Sequence, residues 1–146
     1  MTRTGGCLCG RVRFRLAGEP FDAGWCHCRT CQRNSGSPAM AFASVEDGDW
    51  VVTAGAESIG TVQSSSFGHR AFCAECGTPL YMRVDHQPET VDFSIATLDN
   101  PAAVKPGFHI FWGSRLPWFP ADELPTFERF RPNTRGLAGR EPPNGS

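Results

Sequence analysis

The chain has no surplus of charge of either sign. Its 14 Lys and Arg stand against 15 Asp and Glu, for a net charge of −1 at pH 7. That balance excludes a polybasic protein, so neither nucleic acid nor a membrane surface is an expected partner. There is no apolar run near the ~18–20 residues of a membrane span. The opening Met1-Thr2-Arg3-Thr4-Gly5-Gly6 lacks the apolar core of a secretion signal. The expected setting is cytoplasmic. Branched aliphatics are scarce as well: Ile, Leu and Val total 18 of 146 residues, and the 11 Phe raise the sum to 29. A fifth of the chain is close to the disorder border of roughly 20%, but disorder also needs a high net charge. A folded chain this lean must draw on Phe, Trp and something inorganic.

Helical signals are thin, with short candidates only at Thr30 to Asn34 or Ala121 to Leu124. The 12 Pro and 16 Gly favour short strands and many turns. Arg11, Arg13 and Arg15 alternate with Val12, Phe14 and Leu16, a period of two that predicts a half-buried strand. Further strands are predicted over 39–45, 50–54, 58–63, 91–95 and 109–112. A hairpin is predicted from Ala71-Phe72 to residues 80–84. From Arg131 onward the chain is polar and broken by Pro and Gly, which sets a domain over 1–131 and a flexible tail over 132–146. The pattern is that of a mainly β single domain.

The seven cysteines supply the inorganic element. An odd number cannot pair completely in internal disulfides, and close-set thiols read first as metal ligands. Phe72-Cys73-Ala74-Glu75-Cys76-Gly77-Thr78-Pro79 has the form of a knuckle, in which two thiolates three apart wrap one ion and a glycine relieves the turn. Cys7-Leu8-Cys9-Gly10 is a second half-site; in extended chain both sulfurs point to one side. Neither pair fills a tetrahedron, and together they supply four ligands to a structural zinc. An unligated or redox Cys73/Cys76 pair is the alternative. Trp25-Cys26-His27-Cys28-Arg29-Thr30-Cys31 packs three cysteines into a local claw. Three ligands with an open position is the pattern of a catalytic zinc.

His27, in extended chain, points away from that ion. His69, His86 or His109 filling the fourth corner would make the site structural instead. Arg29 and Arg33 flank the claw, either as counter-charge or as solvated surface residues. His109, Trp112, Arg115 and Trp118 form an aromatic and cationic group that lines a pocket or belongs to the core. Tyr81 and His69 are the few other candidate proton carriers.

Taken together, GGCLCGRVRF, WCHCRTCQRNSG, FCAECGTPL, IATLDNP and WGSRLPWF resemble the glutathione-dependent formaldehyde-activating (GFA) family, which is shared with centromere protein V. The resemblance implies a fold similar to the Mss4-like, β-rich zinc-binding domain. It also implies a structural zinc on Cys7, Cys9, Cys73 and Cys76, and a second, catalytic zinc on Cys26, Cys28 and Cys31. The implied activity is that of a carbon–sulfur lyase that joins a small-molecule thiol such as glutathione to formaldehyde or a related small aldehyde. A non-catalytic, zinc-stabilised binding or scaffold module is the alternative from another class.

Overall fold

Alternation is the feature that builds the fold. In the computed structural model, which describes residues 2–137 and 140–143, the strands are β1 (Arg3–Gly6), β2 (Arg13–Leu16), β3 (Phe21–Cys26), β4 (Met40–Glu46), β5 (Trp50–Ala54), β6 (Ile59–Gln63), β7 (Gly68–Cys73), β8 (Pro79–Val84), β9 (Thr90–Ser94) and β10 (His109–Ile110). One α-helix, α1 (Arg29–Ser35), lies between β3 and β4. A small antiparallel sheet runs β1-β2-β5, and a large one runs β10-β3-β4-β9-β8-β7-β6, parallel only where β10 meets β3. The fold is mainly β, as expected. Among the described residues no helix is long and apolar enough to cross a membrane.

The two faces of the large sheet differ in kind. Ala43 and Val45 of β4, with Val91 and Phe93 of β9, face the small sheet and pack on Phe14 and Leu16. Each fully buried large side chain there contributes roughly 1.5–3 kcal/mol. The alternate residues, Phe42 and Ser44 of β4 with Asp92 of β9, face the other way, towards Cys26, α1 and the segment after Ile110. Because both its faces are covered, β9 is buried at every position.

Most of the predicted strands are present, with ends shifted by a residue or two. The strand expected over 109–112 stops at Ile110, because Phe111 turns into the left-handed region at φ 53°. The Cys7 to Cys9 stretch is a turn rather than extended chain: Gly10, at φ 81°, donates its N–H to the Cys7 carbonyl at 3.1 Å. Helix α1 forms where expected, and Gly36 at φ 65° ends it by donating to the Gln32 carbonyl. Residues 121–124 are not helical.

Within the span expected as a tail, residues 138–139 and 144–146 lie outside the described residues, as does Met1. Leu137 is buried against the domain. Arg135 pairs with Glu46 at 2.7 Å, and Arg140 pairs with Glu89.

Candidate metal centres and an apolar chamber

All seven cysteines are free thiols, and they assemble into two groups. The first joins the β1–β2 turn to the β7–β8 turn. The sulfurs of Cys7, Cys9, Cys73 and Cys76 all lie within 4.8 Å of one another. Cys7 and Cys9 are 3.5 Å apart, and Cys9 and Cys73 are 3.8 Å apart. A tetrahedral ion with metal–sulfur bonds of about 2.3 Å has edges of about 3.8 Å, so the donor set fits such an ion. Gly77, at φ 83°, closes the knuckle with its N–H on the Cys73 carbonyl at 2.7 Å. The sulfurs sit among donors: Val12 N–H reaches Cys7 at 3.3 Å. The Thr78 hydroxyl, then the backbone N–H groups of Thr78 and Cys9, hold the Cys76 thiol down to about 5.

The second group is built at the end of β3 and the start of α1. Cys28 caps the helix, its sulfur accepting the Cys31 N–H at 3.3 Å, and this turn swings Cys31 beside Cys26. The three sulfurs again lie within 4.8 Å of one another, and all three residues are buried. Hydrogen bonds from Cys26 and Cys31 hold the Cys28 thiol down to about 3, whereas the same crowding and burial push Cys26 well above its ordinary value. The crowding thus favours ionising one thiol and opposes ionising its neighbours. Ionising all three together requires added positive charge, as a bound cation supplies.

Part of that charge comes from the protein. Arg70 of β7, 7% exposed, extends across the sheet and donates from Nη2 to the Cys31 sulfur at 3.3 Å and from Nε to Ser64 Oγ at 3.1 Å. Among the described residues, no histidine nitrogen or carboxylate oxygen joins the three sulfurs.

Instead, the three cysteines border a partly open chamber of about 70 Å³ between the large sheet and the segment that follows β10. A cavity of about 150 Å³ holds benzene, so this one has room for about three heavy atoms. Its apolar walls include Phe42, Met82, Phe108, Phe111, Phe130 and Leu137. Its polar floor is a single row of register partners across four adjacent strands: Ser44, Asp92, Met82 and Arg70. Asp22 and Phe111, the two non-glycine residues with positive φ among the described residues, both line it. Strain of this kind, of order 1–3 kcal/mol each, concentrates at functional sites.

The family model described as glutathione-dependent formaldehyde-activating enzyme matches residues 2–114. The chain belongs to this family. A GFA relative from Halomonas elongata, provisionally named a glutathione-dependent formaldehyde-activating enzyme, is 31% identical over 68% of this chain and 68% of its own length. An uncharacterized lyase of Schizosaccharomyces pombe is 38% identical over 53% of this chain, and the match spans only 54% of that relative. A crystal structure of a Rhodobacter sphaeroides protein is similar with a TM-score of 0.57 at 27% identity, covering 70% of this chain and 91% of that one.

The structure brings the seven cysteines of this GFA chain into the two groups read from the sequence, but it scatters the histidines. His27 turns to the far side of β3, where its Nε2 meets His109 Nδ1 at 2.8 Å, and His109 Nε2 meets Asp122 at 2.9 Å. Trp112 packs on both rings, Arg115 lies 4.6 Å over Trp112, and Trp118 is exposed. None of these side chains lines the chamber. His69 pairs with Asp85 at the surface, His86 packs on Phe67 and Phe130, and Tyr81 stacks near Trp50 on the opposite face. Arg29 bonds Gln32. The cation on the sulfurs is Arg70, and of the two carboxylates in the chamber Asp22 pairs with Arg131 whereas Asp92 has no ion pair. Neither Arg70 nor Asp92 stands out in the sequence, and only their place in an alternating strand marks them.

Proposed function

We propose that this chain is a zinc-dependent carbon–sulfur lyase of the GFA type, which adds a small-molecule thiol, glutathione or one like it, to formaldehyde or a related small aldehyde. In this reading Cys7, Cys9, Cys73 and Cys76 hold a structural zinc, and Cys26, Cys28 and Cys31 hold a second, catalytic one. The domain runs to Arg131, and the appended residues after it pack back onto the chamber through Thr134 and Leu137. Reduced thiols throughout suit a cytoplasmic setting. The observation that carries the reading is three buried thiols with no fourth side-chain ligand among the described residues, bordering a partly open chamber of about 70 Å³.

Zinc held there would supply Lewis acidity and make a bound thiol easier to deprotonate. The protein's own groups do the rest. Arg70 and the Cys31 N–H offset the charge on the sulfurs. The Phe and Met walls exclude water, and the chamber's size admits an aldehyde with the sulfur end of a thiol, leaving the bulk of a tripeptide outside. Addition of a thiolate to formaldehyde is easy chemistry, so orientation supplies most of the acceleration required.

Metal analysis and turnover test this directly. Two zinc ions per chain are expected, with Cys28→Ser losing one, keeping the fold and losing thiol-dependent formaldehyde consumption. One zinc per chain, or consumption at the spontaneous rate with every thiol in a panel, overturns the reading.

A further inference from the structure

We infer that Asp92 is a catalytic acid–base residue of the chamber, carrying the thiol proton to the oxygen of a small aldehyde lodged between Asp92 and the three thiols. The inference deepens the thiol–aldehyde reading and rests on it.

Asp92 sits on a central strand, 8% exposed, with its side chain in the chamber wall rather than in an ion pair. Its one side-chain partner among the described residues is Ser44, whose Oγ donates to Oδ1 at 2.5 Å. The second carboxylate oxygen has no such partner among the described residues. In the same wall, the buried hydroxyl of Thr134 also lacks a partner. Buried polar groups are ordinarily satisfied, and two exceptions in the wall of one chamber call for a polar occupant. The chamber's volume restricts that occupant to about three heavy atoms, which suits a one-carbon carbonyl beside a sulfur. The three sulfurs and the Asp92 carboxyl line one and the same chamber, so an occupant enters a space bounded by both.

The step balances without any other reagent. The thiol proton passes to the Asp92 carboxylate. A sulfur lone pair forms the C–S bond, the carbonyl π pair moves onto oxygen, and the Asp92 carboxyl returns the proton to that oxygen. The product is the hydroxymethyl thioether of the thiol, with no change of oxidation state and Asp92 restored. Cleavage follows the same path backwards, starting with removal of the hydroxyl proton by the carboxylate.

The other charged or titratable groups in the chamber are Asp22 from β3, Arg70 from β7, Arg83 from β8, Arg131 from the later segment and the three thiols. Burial pushes the Asp92 carboxyl up to about 6; Ser44 opposes this, Asp22 adds to it and Arg70 opposes it. The carboxylate with a neutral thiol is the reactive pairing in synthesis, and the carboxylate is again needed for cleavage. Both directions therefore lose activity as pH falls through about 6.

The test uses the zinc-loaded protein, glutathione and ¹³C-formaldehyde, with exchange rates read by NMR from pH 5 to 8 above the spontaneous rate. Asp92→Asn is expected to lose about 10²-fold of the acceleration at pH 7.5, the low end for general acid–base groups, and to lack the inflection near pH 6. Ser44→Ala keeps the carboxyl and removes a bond that lowers its pKa, so its inflection moves to higher pH. Full activity in Asp92→Asn, or a loss with the wild-type inflection retained, overturns the proposal. So does an unmoved inflection in Ser44→Ala.

Infrared difference spectra with formaldehyde alone separate the two readings. At pH 5 a carboxyl band that shifts on addition of formaldehyde and is missing from Asp92→Asn supports the contact even if turnover fails. If no such band appears, Asp92 is overturned independently of the lyase assignment.

Discussion

Asp92→Asn makes a second, quantitative claim that does not depend on turnover. A carboxyl raised from its ordinary 3.8 to about 6 binds its proton more tightly in the folded than in the unfolded chain. The folded state then carries more protons between those two pH values, so stability falls as pH rises through that window and stays low above it. The gap corresponds to about 3 kcal/mol at about 1.4 kcal/mol per tenfold, of which about 1.4 kcal/mol develops between pH 5 and 8. Asn has nearly the same shape, accepts the Ser44 hydrogen bond and never ionises. Its pH-independent cost, chiefly an amide with no partner, cancels when the two pH values are compared. The cysteine groups are common to both proteins and cancel too. Urea unfolding of wild type and Asp92→Asn at pH 5 and pH 8 is expected to show the difference in stability moving in favour of the variant by about 1.4 kcal/mol. Parallel behaviour at the two pH values, or a shift in favour of wild type, refutes the argument that burial holds this acid partly neutral.

Three further predictions address other parts of the molecule. Arg70→Met removes the one guanidinium that reaches the Cys31 sulfur, and a chelator competition is expected to show about 10–100-fold weaker zinc at the second group, with the first unchanged. Gly55→Ala places a methyl 1.9 Å from the Arg11 carbonyl oxygen at φ 78°, and a loss of more than about 2 kcal/mol in thermal unfolding is expected, whereas a loss below 0.5 kcal/mol (roughly the noise of a surface change) contradicts the β2–β5 geometry. Leu137→Ala removes a side chain that is 1% exposed against the chamber, and denaturant unfolding is expected to report a loss of about 2–4 kcal/mol.

The sequence made the cysteines legible because their chemistry is local. Cys26, Cys28 and Cys31 lie within one turn of chain, and Cys73 with Cys76 within another, so spacing alone restricts what each set can bind. Strand β9 was legible for the same reason, since its alternation of apolar and polar residues is complete within five positions, and β5 was legible from the turn-like Glu46-Asp47-Gly48-Asp49 just before it. Arg70 and Asp92 were not, because their role is transverse to the chain. They meet only through the register of β7, β8 and β9, and that register is set by packing on both faces of the sheet. His27 was read as facing away from the sulfurs and does so. Its bond to His109, however, depends on β10 pairing in parallel with β3, which no local pattern announces.

The division between the two faces of the large sheet explains how a chain with so few aliphatics tolerates these features. On the face towards the small sheet, Phe14, Leu16, Ala43, Val45, Val91 and Phe93 form a closed apolar layer with no charged member. On the other face are a buried carboxyl, a buried guanidinium, three crowded thiols and two non-glycine residues at positive φ. Each of these is destabilising by itself: a raised carboxyl by about 3 kcal/mol above its pKa, and each strained residue by about 1–3 kcal/mol. Features this unfavourable persist only where something else offsets them. The first cysteine group lies away from the chamber, at the junction of the β1–β2 and β7–β8 turns, where a bound ion would link the two sheets. Metal binding at such a site is itself folding free energy, and it would offset the strain without altering the chamber. Loss of the first ion is therefore expected to unfold the domain. Loss of the second returns protons to the chamber-side thiols and leaves the apolar face intact. Stepwise chelation followed by circular dichroism checks this order: equal loss of structure at both steps would mean that the two faces are not energetically separate.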